Sequence, residues 1–305
     1  MLSNRRDFLA AAALATPLAS LRAAAPNIPF PASAHDRLAV ASWSFHELLD
    51  IPENRAKKRD KLIPMINFPA MVADRYKIHN LELLGPHFPS TDAAYLHDLR
   101  AAVDRAGCRV INLPAGGRAS LYDPDPGIRE AAVTDGKKWI DVAIALGSPS
   151  MRLNITGARN TKPNVELTAA GLSKVARYGE SKNVVVNLEN DDPETEDAFF
   201  IVKVIDRVNS PWLRALPDFC NSMLKGDPKF NYDAVAAMFH RAYNISHVKD
   251  SEVDNGKVFR TDLARTFGIA KASGYKGYFS IEFEGEGDPY TGVAKLIEAS
   301  LKYLS

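Results

Sequence analysis

Gly277-Tyr278-Phe279-Ser280-Ile281-Glu282-Phe283-Glu284-Gly285 is an apolar run fenced by glycines that ends on acidic residues. Its core, 278–282, is too short for a helix and rich in aromatic and β-branched residues, so it reads as a buried strand. The same design recurs upstream at 38–42, 80–84, 109–113, 150–154, 184–188, 213–217 and 244–248. The starts lie roughly 30 to 40 residues apart, the span of a strand plus a crossover helix. Continuous apolar strands suit a parallel sheet covered on both faces.

Helical patterns fill the gaps. Ser90 or Thr91 can cap a helix over 93–106, stopped by Gly107. Residues 126–146 carry Trp139, Val142, Ala143 and Leu146 on one stripe and end at Gly147. Further helices are expected over 167–178, 194–205, 232–241 and 263–272. Eight strands alternating with helices predict a single (β/α)8 TIM barrel over 37–305. The rival, an open doubly wound sheet, needs a Gly-rich phosphate turn after an early strand, and the sequence has none.

The first 25 residues are of a different material. Arg5 and Arg6 precede Phe8 and Leu9, an Ala/Leu run covers 10–21, and Ala23, Ala24 and Ala25 suit cleavage. The paired arginines predict a twin-arginine signal peptide and hence an exported, periplasmic protein. Pro17 interrupts the run, so no stable membrane span is expected. A Pro-rich linker over 26–36 follows.

Bulk composition narrows the function. Basic residues number 38 and acidic residues 37, so no basic surplus marks a nucleic-acid footprint. The two cysteines, Cys108 and Cys220, form no CxxC pair and imply no disulfide scaffold. Seven histidines and a net charge of +1 weigh against a multi-metal nuclease.

In such barrels the chemistry sits at the C-terminal mouths of the strands. Those positions read Asn187-Leu188-Glu189-Asn190, Pro217-Asp218-Phe219-Cys220-Asn221, His247-Val248-Lys249-Asp250 and Ile281-Glu282-Phe283-Glu284. Glu189, Asp218, His247 and Glu282 therefore converge on one opening. Three carboxylates and an imidazole suit one divalent ion: Mn²⁺, Mg²⁺, Co²⁺ or Zn²⁺. Without a cation, the carboxylates would repel one another and one would hold a proton. Glu284, two residues further on, is the reserve ligand.

With these motifs, and with Ala41-Ser42-Trp43-Ser44-Phe45 and Met151-Arg152-Leu153-Asn154, the chain resembles the xylose isomerase-like sugar phosphate isomerases and epimerases. The resemblance implies one metal held by Glu189, Asp218, His247 and Glu282, with Glu189 and Glu282 as the acid/base pair acting beside a carbonyl. One position departs from it: Asn221 stands where epimerases of the family often carry histidine, which puts keto-sugar epimerisation in question but not the metal.

The expected function is isomerisation, epimerisation or β-elimination on a sugar or oxidised glycoside. The alternatives are a metal-free glycoside hydrolase using Glu189 and Glu282, and a sugar-binding barrel without turnover. Candidate substrate contacts are Arg152, Lys249, Glu82, His87 and Trp43. Arg152 and Lys249 can equally neutralise carboxylates, and Glu82 can orient substrate or satisfy a buried arginine. A small carbohydrate is the expected partner, and self-association is open.

Overall fold

The structure, a computed structural model, describes residues 25–57, 59 and 61–304. The expected signal peptide lies outside the described residues except for Ala25. Eight parallel strands form one sheet: β1 (Leu38–Ala41), β2 (Asn80–Glu82), β3 (Arg109–Ala115), β4 (Ser150–Leu153), β5 (Val185–Glu189), β6 (Leu213–Leu216), β7 (Ile245–Val248) and β10 (Tyr278–Ile281). Neighbours run in the order β6-β5-β4-β3-β2-β1-β10-β7. The seam between β6 and β7 carries isolated bridges, Ala215 to Ala242 and Asp218 to His247, rather than a full ladder. There the His247 amide donates to the Pro217 carbonyl at 3.0 Å and draws the barrel shut. All eight strands fall where the sequence put them, and the chain is a TIM barrel.

The helices are α1 (Pro52–Ala56), α2 (Phe68–Tyr76), α3 (Ala93–Arg105), α4 (Pro126–Ala145), α5 (Val165–Lys182), α6 (Ala198–Val208), α7 (Pro228–Phe239), α8 (Leu263–Ala272) and α9 (Pro289–Leu304). Most boundaries are set by short polar caps. Asp125, Asn164, Asp197, Asp227 and Asp262 each accept from backbone amides in the first turn of the helix that follows. These caps correct two expectations. Helix α6 starts at Ala198 rather than 194, because Asp192 holds Glu194 and Thr195 in an Asx turn and Asp197 then caps. At α3 the N-cap is Asp92, while Ser90 accepts from the Asp92 amide instead of capping the helix. Helices α1, α2 and α9 were not read from the sequence. Nor was an antiparallel hairpin after β7, β8 (Ser251–Asp254) with β9 (Lys257–Arg260).

Helix α5 lies close on β5 because Gly179 leaves room: a Cβ there would meet the Val184 carbonyl at 2.5 Å.

The strands are less uniformly apolar than expected, and the difference is by face. Outward residues such as Val40, Leu81, Met151, Val186, Leu188, Phe279 and Ile281 join the main core beneath the helices. Inside, only the bottom of the barrel is apolar, with Ala39, Ile111, Leu216, Ile245 and Tyr278. Above them lies a polar layer of Asn112, Ser150 and Asn187, and above that the charged mouth. Period-two alternation sorts the residues to the two faces.

The segment 26–36 is docked rather than free. Ile28 and Phe30 cover the bottom cluster. Tyr243 Oη accepts from the Ile28 amide at 3.0 Å and donates to the Pro26 carbonyl at 2.8 Å. Among the described residues no helix is long and apolar enough to cross a membrane.

Candidate active site

A cavity of about 480 Å³ opens at the C-terminal mouth. Strand β5 ends on Glu189, the turn after β6 presents Asp218, β7 carries His247, and Glu282 directly follows β10. All four are buried, and one potential ligand atom from each lies within 4.8 Å of the other three. His247 is the hub. Its Nδ1 meets Glu189 Oε1 at 2.8 Å and Glu282 Oε2 at 3.0 Å, and its Nε2 meets Glu82 Oε2 at 2.8 Å.

Asp218 is fixed by one oxygen only. Oδ1 accepts the amides of Cys220 and Asn221 at 2.7 and 2.6 Å. Oδ2 is buried with no hydrogen-bond partner, and Lys249 Nζ is 3.9 Å away. Burial pushes the Asp218 carboxyl up to about 7, helped by Glu189 and Glu282 and opposed by Lys249. Burial likewise raises Glu282, with Glu189 adding to the shift. At Glu189 burial also favours the neutral form, but Arg152 and His247 outweigh it and hold the group well below the usual carboxylate range. An orphaned buried oxygen facing three other donors is what a divalent cation would satisfy, so the residues present fit one.

Two cations flank the quartet. Arg152, at the end of β4, touches Glu189, donates to Asp191 at 2.6 Å and contacts Asn154. Lys249 donates to Asn221 Oδ1 at 2.8 Å and to Glu252 at 2.9 Å, contacts Glu284, and lies 3.5 Å from Glu282. Burial disfavours its charge, yet Asp218, Glu284, Glu282 and Glu252 together hold its pKa above the ordinary lysine range.

A family model of the xylose isomerase-like TIM barrel matches residues 75–305. The chain belongs to this family. Solved structures agree on the fold. The D-allulose 3-epimerase of Methylomonas sp., in complex with D-allulose, is 14% identical with a TM-score of 0.66, covering 90% of this chain and 98% of its own. A xylose isomerase-like TIM barrel protein from Mycobacterium smegmatis, in complex with magnesium, is 16% identical with a TM-score of 0.67 over 89% and 98%. The 3-keto-D-glucoside 4-epimerase of E. coli is 11% identical with a TM-score of 0.62 over 87% and 98%. No curated protein matches the sequence.

Within this xylose isomerase-like barrel, the expected site residues separate into two groups. Glu189, His247, Glu282, Arg152, Lys249 and Trp43 line the cavity. Asp218, Glu82 and His87 do not. Asp218 is fully buried within the quartet, and for Glu82 and His87 the position departs from their expected part in substrate contact. The Glu82 carboxylate lies beneath the site, on His247 rather than on an arginine. His87 is buried behind Trp43, stacked on its ring at 5.9 Å, with Nδ1 3.2 Å from Ser42 Oγ. Burial, with His46 adding, depresses the His87 pKa to about 4, so it is neutral near pH 7. Glu284, the reserve ligand, instead bonds Trp43 Nε1 and Lys249 outside the quartet.

Sequence reasoning missed Asp191, Glu196 and Glu252. Glu252 enters on β8 of the hairpin, whose Asn255-Gly256 turn has φ of 50° and 75°. That dipeptide, with Val253 and Val258 one residue beyond its neighbours, was the available signal. Glu196 accepts from the Ile155 amide at 2.7 Å and from Asn154 at 3.2 Å, which ties the loop after β5 to the end of β4.

Proposed function

We propose that the chain is a divalent-metal-dependent isomerase or epimerase of a sugar or sugar derivative, removing a proton from a carbon beside a carbonyl. Isomerisation, epimerisation and β-elimination from an oxidised glycoside share that step. The observation that carries the proposal is the quartet itself: four buried ligand atoms within 4.8 Å of one another, one group retaining an unpaired oxygen.

A cation held by Glu189, Asp218, His247 and Glu282 would polarise substrate oxygens and acidify the neighbouring C–H. The chain's own groups supply the rest. Glu189 and Glu282 flank His247 and both face the cavity, so one can take the proton and the other return it. Arg152, anchored by Asp191 and Asn154, is positioned to donate to a substrate oxygen. Trp43 offers a flat wall for the C–H face of a sugar. Neighbouring structures named as sugar epimerases support this reading. A two-carboxylate hydrolase would leave Asp218 and His247 without a task. The proposal includes export by the twin-arginine route, which rests on the sequence alone.

Elemental mass spectrometry of the purified protein tests it. About one divalent ion per chain is expected, lost in folded Asp218→Asn and His247→Ala variants. Keto-sugars or oxidised glycosides incubated in D₂O should gain deuterium beside the carbonyl. A folded wild-type protein that stays metal-free after incubation with Mn²⁺, Co²⁺ and Zn²⁺ would sink the reading.

A further inference from the structure

Glu82 is a fully buried carboxylate on β2 that the reaction above leaves unused. Its aim is built into the sheet. The β2–β3 register slips at Leu81/Glu82, so that Leu81 pairs with Val110 but Glu82 pairs with Asn112. The slip sets the Asn112 amide directly opposite, and Asn112 Nδ2 donates to Glu82 Oε1 at 2.7 Å. The other oxygen reaches His247 Nε2 at 2.8 Å. Asn112 is held in that orientation by two donors facing its Oδ1: Ser150 Oγ at 2.6 Å, whose one proton is shared with the Ile111 carbonyl at 2.9 Å, and Asn187 Nδ2 at 3.4 Å. Ser150 in turn accepts from Asn244 at 2.8 Å. Each of these polar residues is at most 1% exposed, so no water competes for the bonds.

We infer that Glu82 is a positioning residue: it holds the proton of His247 on Nε2 and thereby turns the lone pair of Nδ1 toward Glu189 and Glu282, where a cation would sit. A neutral imidazole carries one N–H, and a metal can take only the bare nitrogen. Glu189 and Glu282 both accept, so they would draw that proton to Nδ1 and close the ligand position. Glu82, an acceptor on the opposite edge, gives that proton a partner on Nε2 when a cation takes Nδ1. A carboxylate is required there. Its two oxygens accept from two donors at once, Asn112 Nδ2 and His247 Nε2–H. An amide at 82 would satisfy Asn112 with its oxygen and turn its NH₂ toward Nε2, forcing the proton onto Nδ1.

This inference rests on the metal-binding reading above, and its test separates the two. Mn²⁺ affinity measured by titration calorimetry should fall about 10- to 100-fold in Glu82→Gln. The fall should be recovered in the double variant Glu82→Gln with Asn112→Asp, in which the new carboxylate at 112 accepts the amide protons and frees the amide oxygen for His247. A merely structural role would lower the melting temperature of both without that recovery. Nitrogen-15 NMR of the Zn²⁺-loaded wild type, labelled at histidine, needs no variant and should find the His247 proton on Nε2. Wild-type affinity in a folded Glu82→Gln variant, or the proton on Nδ1, would overturn the inference while leaving metal binding intact. A wild-type protein that binds no metal would overturn both.

Discussion

The two ends of the barrel are built from opposite materials. At the bottom, Ala39, Ile111, Leu216, Ile245 and Tyr278 form an apolar plug closed by Ile28 and Phe30. At the mouth, Glu189, Asp218, His247, Lys249 and Glu282 are each at most 5% exposed, and their charges face one another. The bottom is stabilised by ordinary apolar burial and edge-on aromatic contacts, Phe30 to Tyr243 at 5.4 Å and to Tyr278 at 5.9 Å. The mouth is held by desolvated charges that tolerate burial only in the company of their partners. The bottom is therefore stable residue by residue, whereas the mouth is stable only while its charges remain paired.

The largest effect is expected when a partner is taken away at the mouth. Lys249→Met leaves buried Glu282 and half-buried Glu252 and Glu284 without their shared cation. Urea unfolding of the metal-free protein at pH 7 should show a loss of about 3–5 kcal/mol. A loss no larger than that of a surface substitution would mean that the mouth is held by something other than paired charge.

Glu196 gives a second handle through pH. Burial lifts its carboxyl to about 8, with Asp191 and Glu189 adding and Arg152 opposing. Between its ordinary value and about 8, the folded chain holds a proton that the unfolded chain has released. Stability therefore falls as pH rises through that window. Glu196→Gln should flatten the decline by on the order of 2 kcal/mol, read as the unfolding midpoint followed from pH 5 to 9. An unchanged slope would show that Glu196 stays ionised in the fold.

The smallest effect is expected at the bottom. Phe30→Ala removes a half-buried ring and should cost about 1–2 kcal/mol, below the range for a fully buried phenylalanine. Metal uptake should be unchanged, because the polar layer of Asn112, Ser150 and Asn187 separates the plug from the mouth. A shift in metal affinity in this variant would mean that the two ends are coupled.

The amino-acid sequence by itself determined the eight strands, because each apolar run is short, fenced by turn residues and spaced by one helix. It also determined which side chains reach the mouth: Glu189, Asp218, His247 and Glu282 each stand at or just past a strand end, and topology alone carries them together. Local rules were enough there. The use of residues that act across the barrel was set instead by pairing between strands. In sequence Glu82 reads as an inward residue that orients substrate or satisfies an arginine. A one-residue slip against β3 sets it beneath His247, and such a slip depends on pairing with a distant strand. Trp43, Glu284, Lys249 and Glu252 likewise form one wall although they come from three separate stretches of chain. The interior polar layer was hidden for the same reason: a strand shows which residues alternate, and only the closed barrel shows which face is inside.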